Sequence, residues 1–113
     1  MPGLRFSFDD TGRLHGEFTC EDGHQGYDGM VHGGVIAAIT DASMAQCLMG
    51  HDIVAYTADL TIKYRKPVKT HQPTVLTTHI ETVNVGMLYT MSCEITQNRT
   101  LVAEAKARFI KVK

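Results

Sequence analysis

The sequence predicts an α+β domain, one helix laid against one face of an antiparallel sheet of about six strands. Three observations carry this. A single stretch, 35–49, has helical periodicity. Four long runs after it alternate apolar and polar residues, the period of strands. Two shorter strand-like runs precede it.

The elements follow in order. Leu4, Phe6 and Phe8 alternate with Arg5 and Ser7 as a short strand, and Asp9-Asp10-Thr11-Gly12 is a hairpin turn signal. Residues 13–20 form a second strand, and Glu21-Asp22-Gly23-His24 a polar loop. Gly26, Asp28 and Gly29 mark a turn ahead of His32-Gly33-Gly34. Then Val35, Ile36, Ile39, Ala42, Ala45, Leu48 and Met49 recur at helical spacing as one face, and Gly50 closes the helix. From Ile53 the period changes. Tyr56, Ala58, Leu60, Ile62 and Tyr64 take one strand face; Thr57, Asp59, Thr61, Lys63 and Arg65 take the other, up to Lys66-Pro67. Strands 74–83, 87–96 and 101–112 complete the chain. The short segments between them predict antiparallel neighbours joined as a meander. In the last strand, Leu101, Ala103, Ala105, Ala107 and Phe109 form a face whose small residues admit a closely packed helix. One helix covers only part of such a sheet, so the uncovered faces and edges predict a homo-oligomer.

Composition bounds the function. A chain of 113 residues makes a single domain, 1–113. A net charge of −1 with no basic stripe and interleaved aromatics argues against a nucleic-acid partner. No apolar run approaches the roughly 18 residues of a membrane span. The start, MPGLRFSFDD, shows no secretory signal, and the odd set Cys20, Cys47 and Cys93 fits reduced thiols, so a cytoplasmic setting is expected. The six histidines, His15, His24, His32, His51, His71 and His79, make no HxH or HExxH pattern, so no metal site is expected. Asp10 and His15 match an Asp-x4-His spacing, but they sit on the first hairpin, away from any helix start.

Candidate chemistry gathers on the helix. Its glycine-rich start presents free N–H groups and the positive end of the helix dipole to a polarised or charged oxygen. Asp41 shares a stripe with Gly34, Ala37, Ala38, Ala45 and Leu48. Burying a carboxylate among such residues costs several kcal/mol unless it is paired. Two readings stand: an outward or quietly paired acid, and a catalytic carboxylate facing a cleft. The methionines read as core or as the wall of an acyl pocket. Lys63, Arg65, Lys66 and Lys69 are either a solvated strand end or a cluster that meets phosphates.

The segments GYDGMVHGGVIAAITDASM (26–44) and TADLTIKYRKPV (57–68) resemble the hotdog-fold thioesterases of the 4-hydroxybenzoyl-CoA thioesterase superfamily, in particular the phenylacetate-degradation (PaaI-like) branch. The likeness rests on His-Gly-Gly, an acid eight residues after its first Gly, and the basic-Pro strand end that follows. It implies a hotdog fold, a central helix on a curved sheet, and hydrolysis of an acyl-CoA. It implies that Asp41 is general base or nucleophile, that the Gly33 N–H polarises the thioester carbonyl, that His32 and Gly34 complete the turn, and that Thr57 helps hold the water. It implies a site shared across a homodimer or homotetramer, and no cofactor beyond the CoA of the substrate. Several relatives have Asn where this chain has Gly26; Gln25 or His24 then supplies the amide or imidazole. If the basic strand end meets CoA phosphates rather than solvent alone, Arg65 and Lys66 are the residues expected to do so. A non-catalytic module that binds acyl-CoA is the second functional class, and Asp41 discriminates the two.

Overall fold

A computed structural model describes residues 4–112. Its elements are β1 (Arg5–Phe8), β2 (Leu14–Phe18), β3 (Gln25–Tyr27), β4 (Met30–Val31), α1 (Gly33–Gly50), β5 (Ala55–Tyr64), β6 (Thr74–Asn84), β7 (Leu88–Gln97) and β8 (Thr100–Lys111). A 3-10 turn, Asp22–His24, precedes β3. Six strands form one antiparallel sheet in the order β1-β2-β6-β7-β8-β5, while β3 and β4 make a small hairpin ahead of the helix. That hairpin was not foreseen from the sequence, since three and two residues carry no readable period.

The meander expectation holds for β6-β7-β8 and fails at β5. Instead of pairing with β6, β5 pairs with β8 at the far edge of the sheet. The physical reason is reach. Three strand spacings are about 14 Å, and the connection 65–73 spans roughly twice that when extended. It crosses the end of the sheet and is pinned there. Arg65 and Lys66 N–H groups donate to Val102 O, Thr70 N–H donates to Gly29 O, and the buried Gln97 amide binds both backbone groups of Lys69.

Cross-strand register builds the floor of the core. Leu14, Thr78, Cys93, Ala105 and Ile62 lie in one row across five strands. Against this face α1 buries Ile36, Ile39, Thr40, Ser43, Met44, Cys47 and Leu48. The stripe differs from the expected one: Ala42 and Met49 are exposed, and Thr40, Ser43 and Cys47 take the inward positions. Ser43 and Cys47 are tolerated because they bond locally, Cys47 Sγ lying 3.8 Å from Thr78 O, while the buried Thr40 hydroxyl has no partner among the described residues. Ser43 Oγ lies 2.7 Å from Thr40 O and 2.9 Å from Thr78 Oγ1. Ala103, Ala105, Ala107 and Phe109 are buried as expected.

A second correction concerns β5. Its register shifts between Thr57 and Asp59, a bulge at Ala58. Thr57 pairs with the buried Phe109, and Leu60 with Ala107, so Thr57 joins the helix-facing side with Leu60, Ile62 and Tyr64. Tyr56 pairs with Ile110 on the opposite face and is exposed. The outer face of the sheet is polar and carries ion pairs, Arg65–Glu104, Lys106–Glu81 and Arg108–Asp59.

Candidate active site

The start of α1 is organised by His32. As N-cap it holds extended backbone angles (φ −60°, ψ 133°), and its Nδ1 accepts the Gly34 N–H at 2.8 Å. Accepting at Nδ1 requires that nitrogen to be unprotonated, so a neutral ring carries its proton on Nε2. A Cβ on Gly34 would lie 3.0 Å from both Nδ1 and Cε1 of His32, which explains a glycine there. Backbone bonds fix the cap from the other side: His32 N–H donates to His24 O, and Val31 N–H to Val68 O. Gly33 is exposed, and among the described residues its N–H has no partner. Its carbonyl accepts the Tyr64 hydroxyl at 2.6 Å.

This helix start forms one wall of a cavity of about 470 Å³. His32, Gly33, Arg65 and Lys66 line it together with Gly26, and Met30, Val31, Ile36, Pro67 and Val68 supply apolar wall. The structure thus brings the glycine turn and the basic strand end to one opening. Arg65 is engaged, its Nε donating to Glu104 Oε2 at 3.1 Å, and that bond holds the Glu104 carboxyl below its ordinary range. The Lys66 ammonium has no side-chain partner among the described residues. His24 lies outside the cavity lining, and its Nδ1 accepts the Glu21 N–H. Gln25 is in β3, and its side chain lies outside the described part of the structure. Gly26 faces His32: a Cβ there would lie 3.3 Å from His32 Cα.

Asp41 sits two turns further along α1, half-buried on its small-residue stripe. Thr57 Oγ1 donates to Asp41 Oδ1 at 2.6 Å. The expected acid and hydroxyl therefore meet, and they do so because the bulge at Ala58 turns Thr57 toward the helix. Neither lines the cavity beside Gly33. Tyr64 was read only as a strand-face residue. It lines the cavity and touches the helix start, and burial raises its hydroxyl pKa. Its place beside Arg65 at the end of β5 was the available signal.

Other candidates are resolved by their partners. His15 pairs with Asp9 at 2.7 Å, so the Asp10 spacing is not the interaction made. Asp9 also accepts from Thr11 and Arg13; these bonds hold its carboxyl far below the usual range and define a turn. Cys20, Cys47 and Cys93 are buried free thiols whose pKa values burial raises. Among the described residues no three His, Cys, Asp or Glu side chains gather as a metal set, and no helix is long and apolar enough to cross a membrane.

Comparison with known proteins identifies the family and the fold. A family model described as "Thioesterase superfamily" matches residues 28–104. Acyl-coenzyme A thioesterase THEM4 of Mus musculus is 38% identical over 90 residues, covering 78% of this chain and 38% of the relative. The chain thus spans about two fifths of the length of the curated relatives it matches. A Streptococcus mutans UA159 structure bound to acetyl CoA superposes with a TM-score of 0.88 at 19% identity, covering 96% of this chain and 88% of that one. The E. coli PaaI protein of the phenylacetic acid degradation operon gives 0.89 at 16% identity, covering 98% and 80%. The fold is that of the hotdog thioesterases, one helix on a six-stranded antiparallel sheet.

Proposed function

Because the chain belongs to the thioesterase superfamily, we propose that it hydrolyses the thioester of an acyl- or aryl-CoA to the free acid and CoA. The observation that carries the reading is the half-buried Asp41 carboxylate held by Thr57 Oγ1 at 2.6 Å, on the helix whose start leaves the Gly33 N–H open. Asp41 takes a proton from water as that water attacks the carbonyl carbon, or Asp41 attacks the carbon itself and gives an anhydride that water then hydrolyses to the free acid and the restored carboxylate. Negative charge develops on the carbonyl oxygen, where a preorganised N–H is worth about 3–4 kcal/mol. The C–S bond breaks and CoA leaves as a thiolate, which needs little protonation. The chemistry uses no metal and no cofactor beyond the CoA of the substrate.

On this reading the site is completed by a second copy. Asp41 follows Gly33 by eight helical residues, about 12 Å along the axis. One thioester carbonyl does not span that distance, so the acid and the N–H that serve one substrate come from different subunits. The edge strand β5 has unpaired backbone groups along one side, a template for pairing with a like strand. The outward positions of α1, Gly34, Ala38, Ala42, Gln46 and Met49, carry no charge and are mostly apolar, unlike a helix face built for water. A homodimer or homotetramer is the expected state, and light scattering that finds a monomer at micromolar concentration would sink it.

CoA recognition falls to Lys66 and Arg65 at the cavity mouth, with the acyl group or the pantetheine arm against Met30, Val31 and Val68. The streptococcal neighbour was solved bound to acetyl CoA, which supports a CoA ester as the ligand. Thiol release from a panel of acyl-CoAs tests the function. Turnover of at least one CoA ester is expected. Tight binding without thiol release would instead identify an acyl-CoA-binding module, the reading that Gly26 in place of Asn favours.

A further inference from the structure

Two side chains grip a single peptide group at the start of α1. The Gly33–Gly34 peptide has its carbonyl on the Tyr64 hydroxyl, which donates to Gly33 O at 2.6 Å, and its N–H on His32 Nδ1 at 2.8 Å. Both flanking residues are glycines, so no Cβ restricts the backbone locally. The Tyr64 ring lies flush against Gly33, where a Cβ would meet Oη at 3.4 Å and Cζ at 3.5 Å. Tyr64 itself is the last residue of β5, paired with Ala103, so the anchor belongs to the sheet.

We infer that Tyr64 is a positioning residue for thioester hydrolysis: its hydroxyl holds the Gly33–Gly34 peptide against β5 and thereby sets the direction of the neighbouring Gly33 N–H. The inference rests on the thioesterase reading of this site. Direction matters because a hydrogen bond weakens steeply as its angle falls below about 120°. His32 fixes one end of the peptide only, and the peptide can still pivot about that bond. The Tyr64 hydroxyl removes the pivot. Its proton is already committed to Gly33 O, so it is not free to donate to the substrate carbonyl. A phenol is protonated at neutral pH, and partial burial raises the Tyr64 pKa further, so the grip stays in place. With half of its surface exposed, Tyr64 contributes little to the core, so its hydroxyl is the part that counts here.

Tyr64→Phe removes that one atom and keeps the ring. With phenylacetyl-CoA and decanoyl-CoA as probes, kcat falls roughly tenfold, less than the 10²–10³-fold that follows outright loss of an oxyanion donor. KM stays within about twofold, since the lost interaction acts in the transition state. In parallel, 15N relaxation at Gly33 and Gly34 reports a looser backbone in the variant. An unchanged kcat, or kcat and KM changing together with a lowered thermal midpoint, overturns the inference. If the wild type releases no thiol from any acyl-CoA, the thioesterase reading fails separately. The clamp is then judged by relaxation alone: loosening at Gly33 and Gly34 supports it, and unchanged relaxation overturns it.

Discussion

Asp41→Asn separates chemistry from architecture at the centre of the proposed site. Asn has the size of Asp, and its side-chain oxygen accepts the Thr57 hydroxyl as the carboxylate does, so the 2.6 Å contact survives the change. The half-buried position exchanges a charge for a dipole, and the desolvation it relieves is small and favourable. The fold and oligomeric state should therefore persist, with the thermal midpoint unchanged or slightly raised. Catalysis loses its base or nucleophile, and a positioned base alone is worth about 10²–10⁴-fold. A fall in kcat of at least about 10²-fold is expected, with KM for the CoA ester nearly constant. The assay is thiol release followed with a chromogenic disulfide, alongside thermal unfolding by circular dichroism. Retained kcat with a midpoint several degrees lower would show that Asp41 serves the Thr57 contact as a structural acid, and the mechanism would fail.

Two further perturbations discriminate within the site. Lys66→Ala is expected to raise KM for CoA esters several-fold with kcat unchanged, and Arg65→Ala less so, because Glu104 already engages the guanidinium. Steady-state kinetics on CoA esters against short thioesters lacking the nucleotide check this, and equal effects on both classes would assign the two residues to structure. Gly34→Ala places a Cβ 3.0 Å from the His32 ring, so the imidazole leaves the Gly34 N–H and the helix loses a cap worth roughly 0.5–2 kcal/mol. Urea unfolding should register that loss together with reduced kcat; a variant as stable and as active as the wild type would refute the role given to the cap.

The parts of the fold visible in the sequence were those with long periods. Residues 74–84, 88–97 and 100–111 alternate over many positions, and the structure places strands there. The helix was equally plain in extent, but its inward stripe was misread. Hydrophobicity pointed to Ala42 and Met49, whereas the sheet accepts Thr40 and Ser43, whose hydroxyl groups are small; Ser43 bonds to Thr40 O and Thr78. Periodicity ranks residues by polarity and has no access to partners supplied by another strand. The position of β5 was hidden for a related reason. Its pairing with β8 is set by a connection that crosses the sheet, and connection length gives only an upper bound on reach.

The candidate site shows where motif and period part company. Spacing alone put His32, Gly33 and Gly34 in a turn feeding the helix that carries Asp41; the structure makes His32 the N-cap and starts α1 at Gly33. Thr57 was assigned by resemblance, and the alternation of β5 argued against it. In an unbroken strand, Thr57 would share a face with Asp59 and Thr61, pointing away from Leu60, Ile62 and the helix. The bulge at Ala58 adds one residue and reverses the parity, so that Thr57 reaches Asp41 while Asp59 remains outside with Arg108. A single extra residue leaves no trace in composition and breaks the very alternation that identifies a strand. The feature that aims a side chain at the site is for that reason the one a period-based reading misplaces. The same holds for Tyr64. Its strand face was legible, but its grip on Gly33 depends on how closely the end of β5 approaches the helix start, and only the three-dimensional packing sets that distance.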